Sequence, residues 1–140
     1  MENEIGVKIR KLQHVGIPVT NMATTEAYYG RLGFKKVMQS AFDMDGEKGV
    51  CVMMELAEIV IEFYQLPYSK LAAIRERKNG HVDHVAFDVE DIDLTFALVQ
   101  KAGLRIDEVA PVFLPFWKNG CKYFNVIGPD GERLEFNQIL

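Results

Sequence analysis

The sequence predicts an α+β fold in which one domain is built from two βαβββ modules. A stretch of alternating apolar residues at 81–89, typical of a half-buried strand, has a counterpart 70 residues earlier, at 12–19. Each stretch is followed by a predicted helix with a polar N-cap and a glycine at its end. Short strand-like runs separated by turn residues follow each helix, which completes the βαβββ pattern.

Length, charge and composition limit the classes of protein to which this chain can belong. The chain has 140 residues, of which 49% are hydrophobic, so it can bury a core without disulfide bonds. A net charge of −4 argues against nucleic-acid binding, which needs a basic surface. No stretch resembles a secretory signal or a membrane span. We therefore expect a cytoplasmic protein in which Cys51 and Cys121 are reduced and packed within strands.

The first module is expected at about residues 10–65 and the second at about residues 81–140. In the first, Asn21 caps a helix at residues 22–32 that Gly33 ends. The strands expected in this module are at residues 11–19, 34–42, 50–56 and 58–65. A connector at residues 66–80, with a short helix at 70–78, leads to the second module.

The second module repeats the plan of the first. Asp91 caps a helix at residues 92–102, whose apolar stripe is Ile92, Phe96 and Val99, and Gly103 ends it. The strands expected in this module are at residues 81–89, 105–112, 122–127 and 132–138. The turn between the last two strands is predicted from Pro129, Asp130 and Gly131.

A constant offset of 70 residues relates the two modules. It separates the paired strand histidines, helix caps and helix ends, which are His14 and His84, Asn21 and Asp91, and Gly33 and Gly103. Neither module can bury its apolar surface alone, so the two are expected to complete one core.

Each module also places a glutamate inside an otherwise apolar strand. These residues are Glu62 and Glu135, and a buried carboxylate needs a partner because an unpaired buried charge is costly. The repeat supplies one, since His14 and His84 have the same phase in equivalent strands. Two imidazoles and two carboxylates suit one divalent cation, such as nickel, zinc, cobalt or manganese, with iron(II) less favoured. A single strand histidine is more often structural, so the prediction depends on the matched set.

Three further residues are candidates for substrate binding. Trp117 lies in a predicted loop bracketed by Pro115 and Gly120, where it either covers a substrate or is an ordinary exposed residue. The other two candidates are Tyr64 and Asn137.

Four motifs together resemble the glyoxalase/bleomycin-resistance/dioxygenase group, which is the vicinal oxygen chelate superfamily. They are His14 with the following Val-Gly-Ile, Glu62, His84 with the following Val-Ala-Phe, and residues 130–135 (DGERLE). The resemblance spans about residues 10–138. It implies two βαβββ modules that pair into a curled mixed sheet around a metal site, with His14, Glu62, His84 and Glu135 as ligands.

The resemblance also implies an enzyme activity. A lyase or isomerase similar to lactoylglutathione lyase would bind a small carbonyl substrate, with the metal chelating two adjacent substrate oxygens. Glu135 or Glu62 would remove a proton next to the carbonyl and so form an enediolate. Pro18 and Leu66 replace an arginine and an asparagine that help bacterial glyoxalase I to hold glutathione, which argues against glutathione as co-substrate.

Other members of the superfamily provide the alternatives. Acyl-CoA epimerases commonly have glutamine where this chain has Glu62, and a His-Pro pair where it has Gly128 and Pro129. Extradiol dioxygenases use two histidines and one glutamate, so a fourth ligand would crowd their chemistry. Drug-binding resistance proteins often lack the full ligand set. Chains of this length in the superfamily commonly form homodimers, and we expect the same here.

Overall fold

The chain divides into two compact units in the computed structural model, which describes residues 3–31, 33–77, 79–129 and 133–140. We call His14–Asp83 the central unit, and Met1–Gln13 with His84–Leu140 the terminal unit. Strand β1 (Ile9–Val19) runs through the boundary between them. The connector predicted at residues 66–80 lies inside the central unit.

The central unit has the βαβββ order. After β1 it contains α1 (Met22–Arg31), β2 (Lys35–Met44), β3 (Glu47–Leu56), β4 (Ile59–Gln65), a 3₁₀ turn (Tyr68–Lys70) and α2 (Leu71–Arg75). Its strands lie in the order β2-β3-β4-β1. Strands β1 and β4 are parallel, and the other two pairs are antiparallel.

The terminal unit has the same order. It contains β5 (His84–Val89), α3 (Ile92–Lys101), β6 (Val112–Leu114), β7 (Cys121–Ile127) and β8 (Arg133–Ile139). The strand order is β5-β8-β7-β6, in which β5 and β8 are parallel and the remaining pairs antiparallel. The predicted α+β class with two βαβββ modules is therefore confirmed.

Both predicted helix caps are present. The side-chain oxygen of Asn21 accepts a hydrogen bond from the Thr24 N–H at 3.0 Å, and that of Asp91 accepts one from the Leu94 N–H at 3.0 Å. These bonds satisfy N–H groups that have no partner within the first turn of a helix. The chain after α1 and α3 turns at Gly33 and Gly103, whose positive φ angles, 103° and 75°, suit glycine.

The strand predicted at residues 105–112 is wrong. Most of this segment is irregular, with one isolated bridge between Ile106 and Val126, and β6 begins only at Val112. Pro111 has no N–H to donate to a ladder, which explains why pairing is interrupted there. Instead of a ladder bond, the Glu108 carboxylate accepts a hydrogen bond from the backbone N–H of Asn125 in β7, at 2.6 Å.

The strand predicted at residues 81–89 begins at His84, three residues after its predicted start. The backbone N–H of Asp83 donates to the Gly16 carbonyl at 2.8 Å within the central unit, so the residues before β5 follow a different path. The predicted turn at Asp130 and Gly131, and the helix positions Leu32 and Lys78, lie outside the described residues.

Each unit packs its helix against the apolar face of its strands. In the central unit Met22 of α1 joins Val52, Met54 and Phe63, with Ile17 and Val19 of β1 packed against them. The histidine of each first strand occupies an alternate position, so it lies on the opposite face from this core.

The terminal unit has a core made of its own residues, so the expectation that the two modules complete one core is wrong. Ile92 and Val99 of α3 are fully buried against Val89, Phe124 and Phe136, while the partly buried Phe87 and Phe96 pack at its margin. The predicted stripe of α3 is thus confirmed. Cys51 in β3 and Cys121 in β7 are buried and form no disulfide bond among the described residues, as expected. Among the described residues, every helix is too short or too polar to span a membrane.

Removal of the Asp91 side chain tests how much the helix cap contributes to the stability of the terminal unit. Asp91→Ala should lower the free energy of unfolding by about 1 kcal/mol, because the Leu94 N–H loses its partner. Glu90→Ala is the matched control, since Glu90 is an exposed neighbour outside the cap. Urea unfolding followed by circular dichroism measures both, and equal losses would contradict a capping role.

Candidate metal centre

The central unit brings His14 and Glu62 together on one face. In the parallel pairing of β1 with β4, Gly16 lies directly opposite Glu62, and His14 is two residues before Gly16 on the same face. The His14 Nε2 atom is 3.8 Å from the Glu62 Oε2 atom, and both side chains are buried. Glycine at position 16 adds no side chain between them.

The terminal unit repeats this arrangement with His84 and Glu135. Ala86 lies opposite Glu135 in the parallel pairing of β5 with β8, in the same register as the Gly16–Glu62 pair. The His84 Nε2 atom is 3.5 Å from the Glu135 Oε1 atom, and both side chains are buried. Each unit therefore contains one buried histidine–glutamate pair beside a small residue.

The distances within the two pairs fit a shared cation better than a direct hydrogen bond. Hydrogen bonds with N–H donors have donor–acceptor distances of about 2.7–3.2 Å. Two ligand atoms that are each about 2.0–2.2 Å from one cation are separated by roughly 3–3.6 Å. The separations of 3.5 and 3.8 Å are close to this second range. Imidazole and carboxylate are also the donor types that divalent transition metals accept.

A chain of buried polar side chains continues from Glu135 through the terminal unit. The Asn137 amide nitrogen donates to Glu135 Oε2 at 2.9 Å, and Asn137 Oδ1 accepts from the Gln13 amide at 3.0 Å. The Gln13 amide also donates to Asp88 Oδ1 at 3.0 Å, and Arg10 pairs with Asp88 Oδ2 at 2.6 Å. Glu135 is thus connected to a surface cation through three buried residues.

Tyr64 in β4 is half-buried and donates a hydrogen bond to Asp83 within the central unit. Burial raises the pKa of the Tyr64 hydroxyl well above its ordinary value, and the negative charges of Asp83 and Glu62 raise it further. The hydroxyl therefore remains protonated at physiological pH and acts as a donor. Arg77 is 3.6 Å from the Asp83 carboxylate and partly balances its charge.

Trp117 lies in the turn between β6 and β7, as its loop position predicted. It is half-buried and follows the buried Phe116, so it is not a freely exposed ring. Its φ angle of 64° is in the left-handed region, which non-glycine residues adopt at a cost.

Asn125 was not identified from the sequence. It lies opposite Glu135 in the pairing of β7 with β8, and only 4% of its surface is exposed. The backbone and side-chain N–H groups of Asn125 donate hydrogen bonds to the Glu108 carboxylate, at 2.6 and 2.8 Å. The side-chain amide oxygen of Asn125 therefore points away from that carboxylate. This oxygen, Oδ1, has no hydrogen-bond partner among the described residues.

Gln13 and Asp88 were also overlooked as members of the site. Strand alternation could have identified Asp88, because it places Asp88 on the same face of β5 as His84 and Ala86. Gln13 adjoins His14 in sequence but contacts residues far along the chain, and strand alternation alone gave no reason to select it.

Comparison with known proteins identifies similar chains of similar length. The protein YwbC of Bacillus subtilis (strain 168) is 28% identical over 131 residues, which cover 92% of this chain and 98% of that protein. The crystal structure of the hypothetical protein BH1468 from Bacillus halodurans C-125 has a TM-score of 0.72 at 23% identity. The match covers 93% of this chain and 94% of the other.

Methylmalonyl-CoA epimerase from Mycobacterium tuberculosis has the same fold. Its crystal structure has a TM-score of 0.73 at 18% identity, and the match covers 94% of this chain and 89% of the epimerase. A family model also matches almost the whole chain, at residues 11–136, which include His14, Glu62, His84 and Glu135. With its two βαβββ units, the chain belongs to the Glyoxalase/Bleomycin resistance protein/Dioxygenase superfamily.

Proposed function

We propose that this protein is a metal-dependent enzyme that transfers a proton next to a carbonyl group, as glyoxalase-like lyases and isomerases do. The observation that carries the proposal is the buried histidine–glutamate pair present in each unit. Proteins rarely bury carboxylates without a compensating partner, and two such pairs at equivalent strand positions indicate selection for a common purpose.

The proposed centre has four ligands and one divalent cation. Each of the buried residues His14, His84 and Glu135 offers one nitrogen or oxygen atom to a metal ion. Glu62 is assigned by its equivalence to Glu135, since both lie opposite a small residue in a parallel pairing. The donor set is suited to nickel, zinc, cobalt or manganese. When bound, the cation would polarise the substrate carbonyl as a Lewis acid.

The residues of the chain would supply proton transfer and substrate contacts. Glu62 and Glu135 are the candidate bases. Each would accept the proton through the carboxylate oxygen that faces its histidine, Oε2 and Oε1 respectively, when that oxygen is not bound to the cation. Tyr64 and Trp117 are the proposed substrate contacts. Small neighbours at Gly16 and Ala86 leave room beside the ligands for a substrate with two adjacent oxygens.

An acyl-CoA epimerase reaction is the nearest alternative, because it uses the same proton transfer next to a carbonyl. A dioxygenase of the extradiol type would need coordination positions for oxygen and a catechol, and a fourth protein ligand at Glu62 would occupy one of them. A drug-binding protein would need no complete ligand set. We therefore favour proton transfer, with a small carbonyl compound as substrate.

Exchange of a substrate proton with solvent tests this function directly. In D₂O, the metal-loaded protein should incorporate deuterium next to the carbonyl of a methylglyoxal–thiol adduct, as measured by NMR. The double variant Glu62→Gln, Glu135→Gln should slow incorporation by about 10²-fold or more, because no carboxylate is left to accept the proton. Assays with several thiols and with an acyl-CoA thioester distinguish the lyase from the epimerase.

The control for this experiment is Glu55→Gln, which alters an exposed glutamate of β3 and should exchange at the normal rate. Robust oxygen uptake with catechol cleavage would instead support a dioxygenase. Tight binding of these compounds with no exchange by the unsubstituted protein would support a binding protein.

We also propose a homodimer. Strand β2 is an edge of the sheet in the central unit and β6 is an edge in the terminal unit. Apolar side chains on these strands are exposed, with Val37 at 44% and Phe113 at 56%. Exposed strand edges with apolar side chains favour pairing with a second chain.

Complementation between two inactive variants tests whether a dimer shares its sites. His14→Ala and His84→Ala proteins should each lose activity, because each lacks one ligand. If each site combines halves of two chains, a mixture allowed to exchange subunits should recover part of the activity, since one site per heterodimer is intact. A site within one chain would show no recovery, and a monomer at micromolar concentration in sedimentation would contradict the dimer.

A further inference from the structure

The amides of Gln13 and Asn137 link Glu135 to a buried ion pair. Both residues are almost completely buried, and each uses its side-chain nitrogen as a donor toward a carboxylate. Burial of an amide costs free energy unless its hydrogen bonds are satisfied, and these two amides satisfy theirs within one connected set that ends at Glu135.

The hydrogen bonds of this chain can run in only one direction. The Asp88 carboxylate is an acceptor, and Arg10 contacts its Oδ2 atom at 2.6 and 2.7 Å. The Gln13 nitrogen must therefore face Asp88, and the same nitrogen lies 3.0 Å from Asn137 Oδ1 and 3.1 Å from the Asn137 backbone carbonyl oxygen. Because Oδ1 of Asn137 faces this donor, the Asn137 side-chain nitrogen faces Glu135.

The result is a fixed orientation of the Glu135 carboxylate. Its Oε2 atom receives the Asn137 amide at 2.9 Å, whereas Oε1 lies 3.5 Å from His84 Nε2. One oxygen is thus bound to the protein, and the other is placed beside the imidazole. This division favours a carboxylate that binds a cation through a single oxygen.

We propose that Asn137, oriented by Gln13, is a positioning residue that presents Glu135 Oε1 and His84 Nε2 to the cation. The inference rests on the proposed metal-dependent function and assigns Asn137 a role other than direct substrate contact. Residues that hydrogen-bond to metal ligands typically contribute about 10- to 100-fold to metal affinity. The same effect is expected here, although Asn137 itself would not touch the metal.

Cobalt(II) titration provides a readout that does not depend on catalysis. Asn137→Leu keeps a similar volume but removes the donor to Glu135, so the dissociation constant for Co²⁺ should rise about 10- to 100-fold. The visible spectrum of the bound ion should also change, because Glu135 can rotate and alter the coordination. Gln13→Met, which leaves Asn137 in place but no longer orients it, should weaken binding less and serves as the second variant if Asn137→Leu does not fold.

The matched control is Thr95→Val. Thr95 is equally buried in the terminal unit and its hydroxyl donates to the Asp91 carbonyl at 2.7 Å, far from this chain of amides in sequence and function. It should lose stability in the metal-free protein but bind Co²⁺ with unchanged affinity and spectrum. The double variant of Gln13 and Asn137 should bind no more weakly than Asn137→Leu alone, since both act through Glu135.

Two results would overturn the proposal, and they are distinguishable. If Asn137→Leu behaves like Thr95→Val, with lower stability but normal Co²⁺ affinity and spectrum, the amides are only structural while the metal centre stands. If the unsubstituted protein binds no divalent cation, the metal centre itself is wrong, and the positioning role is lost with it.

Discussion

The parallel pairing of a histidine strand with a glutamate strand is the constraint on which this structure depends. It occurs once per unit, between β1 and β4 and between β5 and β8. A parallel pair requires a crossover connection, and in each unit the helix and two further strands form that connection. Because side chains alternate across a strand, the same pairing directs apolar residues to the helix and the histidine and glutamate to the other face.

This arrangement places ionisable groups where a protein would otherwise place apolar ones. Burial of a carboxylate is tolerated only when charges and hydrogen-bond donors compensate it. The terminal unit supplies that compensation with Asn137, Gln13 and the Arg10–Asp88 ion pair. In the central unit, the phenol of Tyr64 and the Asp83 carboxylate lie in the corresponding region, so the two glutamates have different surroundings. A repeat that keeps the histidine and the glutamate while their neighbours diverge is expected of a site under chemical selection.

The sequence was sufficient to predict the features that depend on local patterns. Helix caps at Asn21 and Asp91, the apolar stripe of α3 and the paired histidines all follow from periodicity and the 70-residue offset. Local patterns could not reveal the bonds from Gln13 to Asp88 and Asn137, because these residues lie 75 and 124 positions away. The strand predicted at residues 105–112 failed for a similar reason, since the backbone bonds of Arg105 and Asp107 with β7 end at Asn125, whose N–H donates to the side chain of Glu108 instead.

Anomalous diffraction from crystals grown with Co²⁺ is the most direct test of the central claim, because it locates the cation independently of any assay. One strong peak per chain is expected at the cobalt absorption edge, in contact with Nε2 of His14 and His84 and with the carboxylates of Glu62 and Glu135. A map with no peak near these residues, or with a peak held by other side chains, would contradict that claim.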